Sequence, residues 1–242
     1  MNQSYNPWNE PRQNTIYANE VGQYETLSNY TAKTFLWMFA GLLATFGVSL
    51  LFYASNLAYF ILQNGLMFIG LAVAEIAVVL VLSARIHKMS VAGARGLFFL
   101  YAVLNGVVFS SYLWVYDMRD VLLAFGSAAL YFGIMAAYGY MTKQDLTSWR
   151  TPLTIGLITM LIVGVLGMFF FSGMGVLFSI LGVLLFACYT AYDTQKIKAA
   201  YFAYAGNSEM AKKASIFAAL QLYLDFINLF LYLLRIFARS RD

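Results

Sequence analysis

Seven apolar stretches, at residues 32–54, 58–82, 95–116, 121–141, 153–171, 174–196 and 214–237, divide this chain. Each comes near the ~20 residues that a helix needs to cross ~30 Å of hydrocarbon. Lipid offers no partner to an open backbone, and the runs are too long and too evenly apolar for barrel strands, so helices are the structures left. Composition agrees, with 62% of the 242 residues hydrophobic and 11% charged, where a soluble domain carries about 25% charged residues. The expected fold is an all-α polytopic membrane protein. Its expected parts are a mobile polar cytoplasmic N-terminal tail over 1–29, a seven-helix membrane domain over 30–237 and a short basic C-terminal tail over 238–242.

The charge pattern sets an orientation and excludes some functions. The net charge is +4, yet Lys and Arg fall in the short gaps between apolar runs, so the basicity reports topology and not a nucleic-acid-binding face. With the N-terminus inside, the inner connectors receive Arg85, Lys88, Arg95, Lys143, Arg150, Lys196, Lys198, Lys212 and Lys213, while the outer connector at 55–57 carries no charge. That bias predicts a multi-pass protein of a bacterial plasma or inner membrane with a cytoplasmic N-terminus. Seven full crossings leave Arg239 and Arg241 outside, which the same rule disfavours, so the last segment either spans or re-enters and returns. The first residues have no basic start followed by an apolar core, so they are no secretory signal. Cys188 is the lone cysteine and His87 the lone histidine. A disulfide within the chain is thereby excluded, a resident metal is not expected, and no cofactor is called for.

Acids inside the apolar runs carry the functional signal, because a carboxylate at membrane depth costs roughly 2.5–3.5 kcal/mol on insertion scales. Asp193 lies 13 residues before Gly206 and Asp225 lies 17 residues after Ser208. With Gly206 ending one helix and Ser208 capping the next, antiparallel helices place the two acids within ~6 Å of the same depth. Carboxylates sharing a low-dielectric site cannot both ionise cheaply, so they titrate as a pair. Holding one proton they can clamp two helices; doubly ionised they repel and attract a hard cation such as Ca²⁺. Lys196, three residues after Asp193, offers that acid a different partner.

Gln221 and Asn228 share a helix face with Asp225 and extend it into a polar stripe. Such a polar helix belongs in the middle of a bundle, so the last helix is expected to be surrounded by the other six. Glu75 sits in the middle of the second run and either lines the same polar path or is a structural acid held by a hydrogen bond. Arg85 is an ion-pair candidate for an aspartate or a snorkelling anchor, and Arg235 an end anchor. Small residues at Gly126, Ala129 and Gly133, at Gly164 and Gly167, and at Gly175 and Gly182 are expected at the seams where helices approach closely. No Gly-Lys-Ser/Thr phosphate loop occurs in the chain.

The blocks Thr190-Ala191-Tyr192-Asp193-Thr194-Gln195-Lys196-Ile197-Lys198 and Leu222-Tyr223-Leu224-Asp225-Phe226-Ile227-Asn228-Leu229-Phe230, followed by Leu233-Leu234-Arg235-Ile236-Phe237, resemble the bacterial branch of the Bax inhibitor-1 family. The resemblance covers roughly residues 30–237. It implies seven helices with the last wrapped by the rest, and a pH-sensitive calcium leak. The family's aspartate pair falls on Asp193 and Asp225, its second-helix glutamate on Glu75 and its arginine on Arg85. Ca²⁺ and protons are then the partners, bound transiently at Asp193 and Asp225, and no enzyme activity is expected. The resemblance also permits a regulator that binds a membrane protease or another assembly. An intramembrane aspartyl protease fits less well, since Leu222, Tyr223 and Leu224 precede Asp225 where such enzymes place a glycine, and no Pro-Ala-Leu follows.

Overall fold

The computed structural model describes residues 25–170 and 175–239. The expected N-terminal tail up to residue 24, the connector at 171–174 and residues 240–242 lie outside them. Eight α-helices make up almost all of the described chain: α1 (Leu27–Ala54), α2 (Leu57–Gln63), α3 (Gly65–Arg85), α4 (Val91–Val115), α5 (Met118–Met141), α6 (Arg150–Phe170), α7 (Gly175–Ala203) and α8 (Ser208–Arg239). A 3₁₀ turn, Leu146–Trp149, precedes α6. Seven helical segments are long and apolar enough to cross a membrane.

Caps explain where the helices begin. The Thr26 hydroxyl accepts from the Asn29 amide (3.2 Å), so α1 starts five residues before the apolar run. Ser90 caps α4 through Gly93 (3.1 Å). Asn207, and not Ser208, caps α8, its Oδ1 accepting from the Met210 amide (2.9 Å). Such side-chain acceptors occupy amides that the first helical turn leaves without a partner. The second apolar run is not one helix: Asn64 ends α2 and caps α3 through the Met67 amide (3.3 Å).

α8 is the central helix. Two thirds of its spanning window, 67%, is buried, against 39% or less for every other span. It packs chiefly against α7, α5, α1 and α4, while α3 leans on α4 and α6 on α7. The helix runs unbroken over 32 residues, about 48 Å at 1.5 Å per residue, so it is long enough to span and does not turn back. It lies parallel to α1. Near the start of both helices the Tyr30 hydroxyl donates to the Ala211 carbonyl (3.1 Å) and Thr34 meets Ser215 (2.8 Å). Halfway along, Thr45 meets the Tyr223 hydroxyl (2.6 Å), and at the far end Tyr53, Arg235 and Ala238 line one cavity of about 690 Å³. The two ends of the bundle are called proximal, where α1 begins, and distal below.

Side-chain size sets the seams, though not all where the glycines suggested. On α5 the buried face is Ala124, Ala128, Phe132, Ala136 and Gly139. Gly126 and Gly133 open onto space and Ala129 is exposed. Gly139 lies against the Ala191 backbone of α7, with no room for a Cβ, and Gly182 of α7 sits beneath the Tyr232 ring. Gly139→Ala is expected to lower thermal stability in detergent by roughly 1–3 kcal/mol through overpacking. Gly133→Ala is expected to leave it unchanged or slightly higher, because Ala is the better helix former by about 1 kcal/mol. The reverse order would remove the seam assigned to this face.

Candidate functional site: buried carboxylates between the last two helices

The antiparallel pair α7 and α8 forms one of the largest packing surfaces of the bundle, and both aspartates lie in it. Asp193 is 5% and Asp225 4% exposed. The Lys196 ammonium, one turn from Asp193, donates to Asp193 Oδ1 (2.9 Å) and across the seam to Gln221 Oε1 (3.2 Å). It also lies 5.2 Å from the Tyr192 ring centroid. Gln221 is one turn before Asp225, so a single cation joins the face of α7 that holds one acid to the face of α8 that holds the other. Lys196 thus links Asp193 to the residue one turn from Asp225.

The acids are not equivalent. Asp193 has an ion-pair partner whose side chain is 36% exposed. Asp225 has no ion pair among the described residues, and its Oδ2 is buried without a hydrogen-bond partner. A buried polar atom without a partner costs free energy, and an ionised one costs far more. Asp193 and Lys196 together are neutral. Asp225 is therefore the group whose charge is uncompensated whenever it ionises.

Of the remaining candidates, Gln221 joins this cluster and three others do not. Asn228 donates to the Leu224 carbonyl of its own helix (2.7 Å). Glu75 belongs to a second polar group, in which Asn105 Nδ2 donates to Glu75 Oε1 (3.3 Å) and to the Tyr101 hydroxyl (3.4 Å). The Tyr101 ring meets Tyr223 of α8 edge-on (5.7 Å between centroids). Arg85 is exposed at the end of α3 and has no ion pair among the described residues. The expectation that it partners an aspartate is corrected: α3 packs on α4, away from α7, and the cation beside Asp193 is Lys196.

Other residues with structural roles went unread in the sequence. Gln195 is buried between Thr194 and Lys196; it accepts from the Leu146 amide (2.8 Å) and donates to the Gln144 carbonyl (2.7 Å), fastening α7 to the α5–α6 connector. Lys198 donates to the Tyr140 carbonyl beside it. Lys213, counted among the connector charges, is 4% exposed. Its ammonium takes the carbonyls of His87 (3.4 Å) and Met89 (3.2 Å) and the Glu209 carboxylate (3.2 Å). The position of Gln195 inside the block around Asp193 was the available signal for it. Among the described residues no group of three or more His, Cys, Asp or Glu side chains is placed to hold a metal.

A helical polytopic membrane protein with a carboxylate buried in its most buried helix, and a second buried acid on the helix packed against it, is the class these observations define. The family model described as inhibitor of apoptosis-promoting Bax1 matches residues 27–242. The inner membrane protein YbhL of Escherichia coli K12 is 38% identical over 237 residues, covering 96% of this chain and 98% of YbhL. A membrane protein of Streptococcus pyogenes is 34% identical over 218 residues, 88% of this chain and 94% of its own length. The chain belongs to the Bax inhibitor-1 family, and it is a multi-pass protein of the cell membrane.

The charge arrangement has a measurable consequence for stability. Lys196→Met leaves the buried Asp193 carboxylate without its cation and is expected to be the most destabilising of three variants. Asp193→Asn is milder, because Lys196 reaches water, and the double variant recovers part of the loss. A thermal-unfolding cycle in detergent is expected to give a coupling of about 0.5–3 kcal/mol. Additive losses would mean that the pair has no energetic role.

Proposed function

We propose that the protein is a pH-sensitive cation leak of the cell membrane, with Ca²⁺ the favoured ion and the α7–α8 acids the gate, and that it is not an enzyme. The burial of Asp225, with an oxygen lacking any partner, opposite an acid that already has its own cation, carries this reading. With Asp225 protonated, the cluster of Asp193, Lys196 and Asp225 is neutral and the seam stays packed. Loss of that proton leaves one net negative charge in a low-dielectric seam, which repels Asp193 and draws in a cation with oxygen preference. Asp193, Asp225 and the Gln221 amide oxygen are the transient ligands, with the ion as cargo. Flux therefore rises with pH, because the conducting form is the deprotonated one.

Calcium uptake by proteoliposomes is expected to increase severalfold between about pH 5 and about pH 8, with an apparent midpoint belonging to the coupled cluster and not to one residue. Asp225→Asn removes the titrating proton, and its profile is expected to be low and flat. A flat profile in the unaltered protein, or unaltered flux in Asp225→Asn, would sink the proposal.

The orientation proposed is a cytoplasmic N-terminus, following the basic connectors at the proximal end. Because α1 and α8 run parallel, the C-terminus then lies on the opposite side. A reporter active only outside the cytoplasm is expected to be active when fused after Asp242 and silent when fused before Asn2; the opposite result reverses the assignment.

A further inference from the structure

The turn joining α3 to α4 presents a cationic surface that the bundle leaves uncompensated. Over the 41 residues Ile76–Tyr116 the chain has Arg85, His87, Lys88 and Arg95 and no acid. All four are exposed, and none makes an ion pair among the described residues. The facing groups on neighbouring elements do not supply a countercharge. Glu209 of α8 is engaged by Lys213 (3.2 Å), and Glu25 before α1 by Lys33 (2.7 Å). The Arg95 guanidinium is held 4.8 Å from the Trp37 ring centroid of α1, which extends the surface from α3 towards α1.

Two further features suit this surface to a particular partner. Lys213 binds the His87 and Met89 carbonyls from inside, so the turn is fixed from the α8 side while its cationic side chains stay outward. On the side of α3 next to Arg85, Val81 (one turn away) is 43% exposed and Ala77 is exposed, and the bare surface continues around the helix through Val73, Ile76 and Leu80, which are 61%, 60% and 62% exposed. Cations at the end of an uncovered apolar helix match a molecule with an anionic head and hydrocarbon tails. Juxtamembrane Lys and Arg contribute about 1 kcal/mol each towards anionic lipid.

We propose that the α3–α4 corner is a binding site for an anionic phospholipid, the headgroup phosphate meeting Arg85, Lys88 and Arg95 and the acyl chains lying along α3. Through Lys213 the bound lipid braces the start of α8. The inference does not depend on the leak: it concerns a ligand of the proximal face and is read out by binding.

The test uses the full-length protein purified in detergent, with phosphatidylglycerol and phosphatidylcholine as probes. Native mass spectrometry counts retained lipid, and the thermal midpoint reports its effect on the fold. Phosphatidylglycerol is expected to be retained and to raise the midpoint, with phosphatidylcholine much less effective. The variant Arg85→Gln/Lys88→Gln/Arg95→Gln is expected to weaken phosphatidylglycerol binding by roughly a hundredfold, from three charges at about fivefold each. Lys143→Gln/Arg150→Gln, which removes two exposed cations from the connector containing Asp145, is expected to leave it unchanged. The proposal is overturned by undiminished binding in the triple variant, by an equal loss in the Lys143/Arg150 control, by equal retention of phosphatidylcholine, or by inorganic phosphate at equal concentration displacing the lipid.

Discussion

A charge placed in a low-dielectric medium must be neutralised within a few ångströms or not be formed at all, and this constraint orders the bundle. Only α8 is covered widely enough to hold Gln221, Tyr223, Asp225 and Asn228 at membrane depth. Tyr223 shows the device at its simplest: a fully buried ring with its hydroxyl on Thr45 at 2.6 Å. Thr45 in turn donates towards the carbonyls of Gly41 and Ala102. On the opposite side of α8 the same accounting stops short at Asp225, whose Oδ2 has no donor. Thr31 Oγ1, Thr194 Oγ1 and Asn105 Oδ1 are also buried without a partner, but those groups carry no charge, whereas Asp225 can ionise.

The proximal face is held by side chains that reach backbone groups of connectors. Gln195 takes the α5–α6 connector to α7, and Lys213 takes the α3–α4 turn to α8. The start of α1 touches both halves, since the Tyr201 hydroxyl donates to the Glu25 carbonyl (2.8 Å) and the Tyr30 hydroxyl to Ala211. Connectors so fixed need little structure of their own. Each of the last two helices thus has its own anchor at this end, and the seam between them holds the acids.

Much of this was legible in the sequence, for a physical reason. A carboxylate in an apolar run is conspicuous, so Asp193, Asp225 and Glu75 stood out, and helix length against bilayer thickness gave the seven crossings. What a sequence of this kind does not encode is which face of a helix points inward, because lipid tails are as apolar as the protein core. The alternation that marks a buried face in water is therefore weak. Gly126, Ala129 and Gly133 therefore suggest an α5 seam, while Ala124, Ala128 and Gly139 form it. Basic residues misled in the same way. Arg85 and Lys213 both flank apolar runs, yet one is exposed and the other is buried on two backbone carbonyls, a difference fixed by packing.

The inequality between the two acids bears on how a seam of this kind can respond to pH. Were the carboxylates alone together, sharing a proton, either could carry it and the charge would be spread over both. Lys196 breaks that symmetry: it lies 2.9 Å from Asp193 Oδ1 and reaches Gln221 across the seam, so ionisation of Asp193 is compensated locally. A proton at Asp225 has no such substitute. The lysine also ties the two helices together, and a second negative charge beside it gives its ammonium a competing partner on α8. The proposed gate is therefore a competition for one cation. As Asp225 ionises, Lys196 is drawn between two carboxylates, and the contact that joins α7 to α8 becomes the contact that has to rearrange.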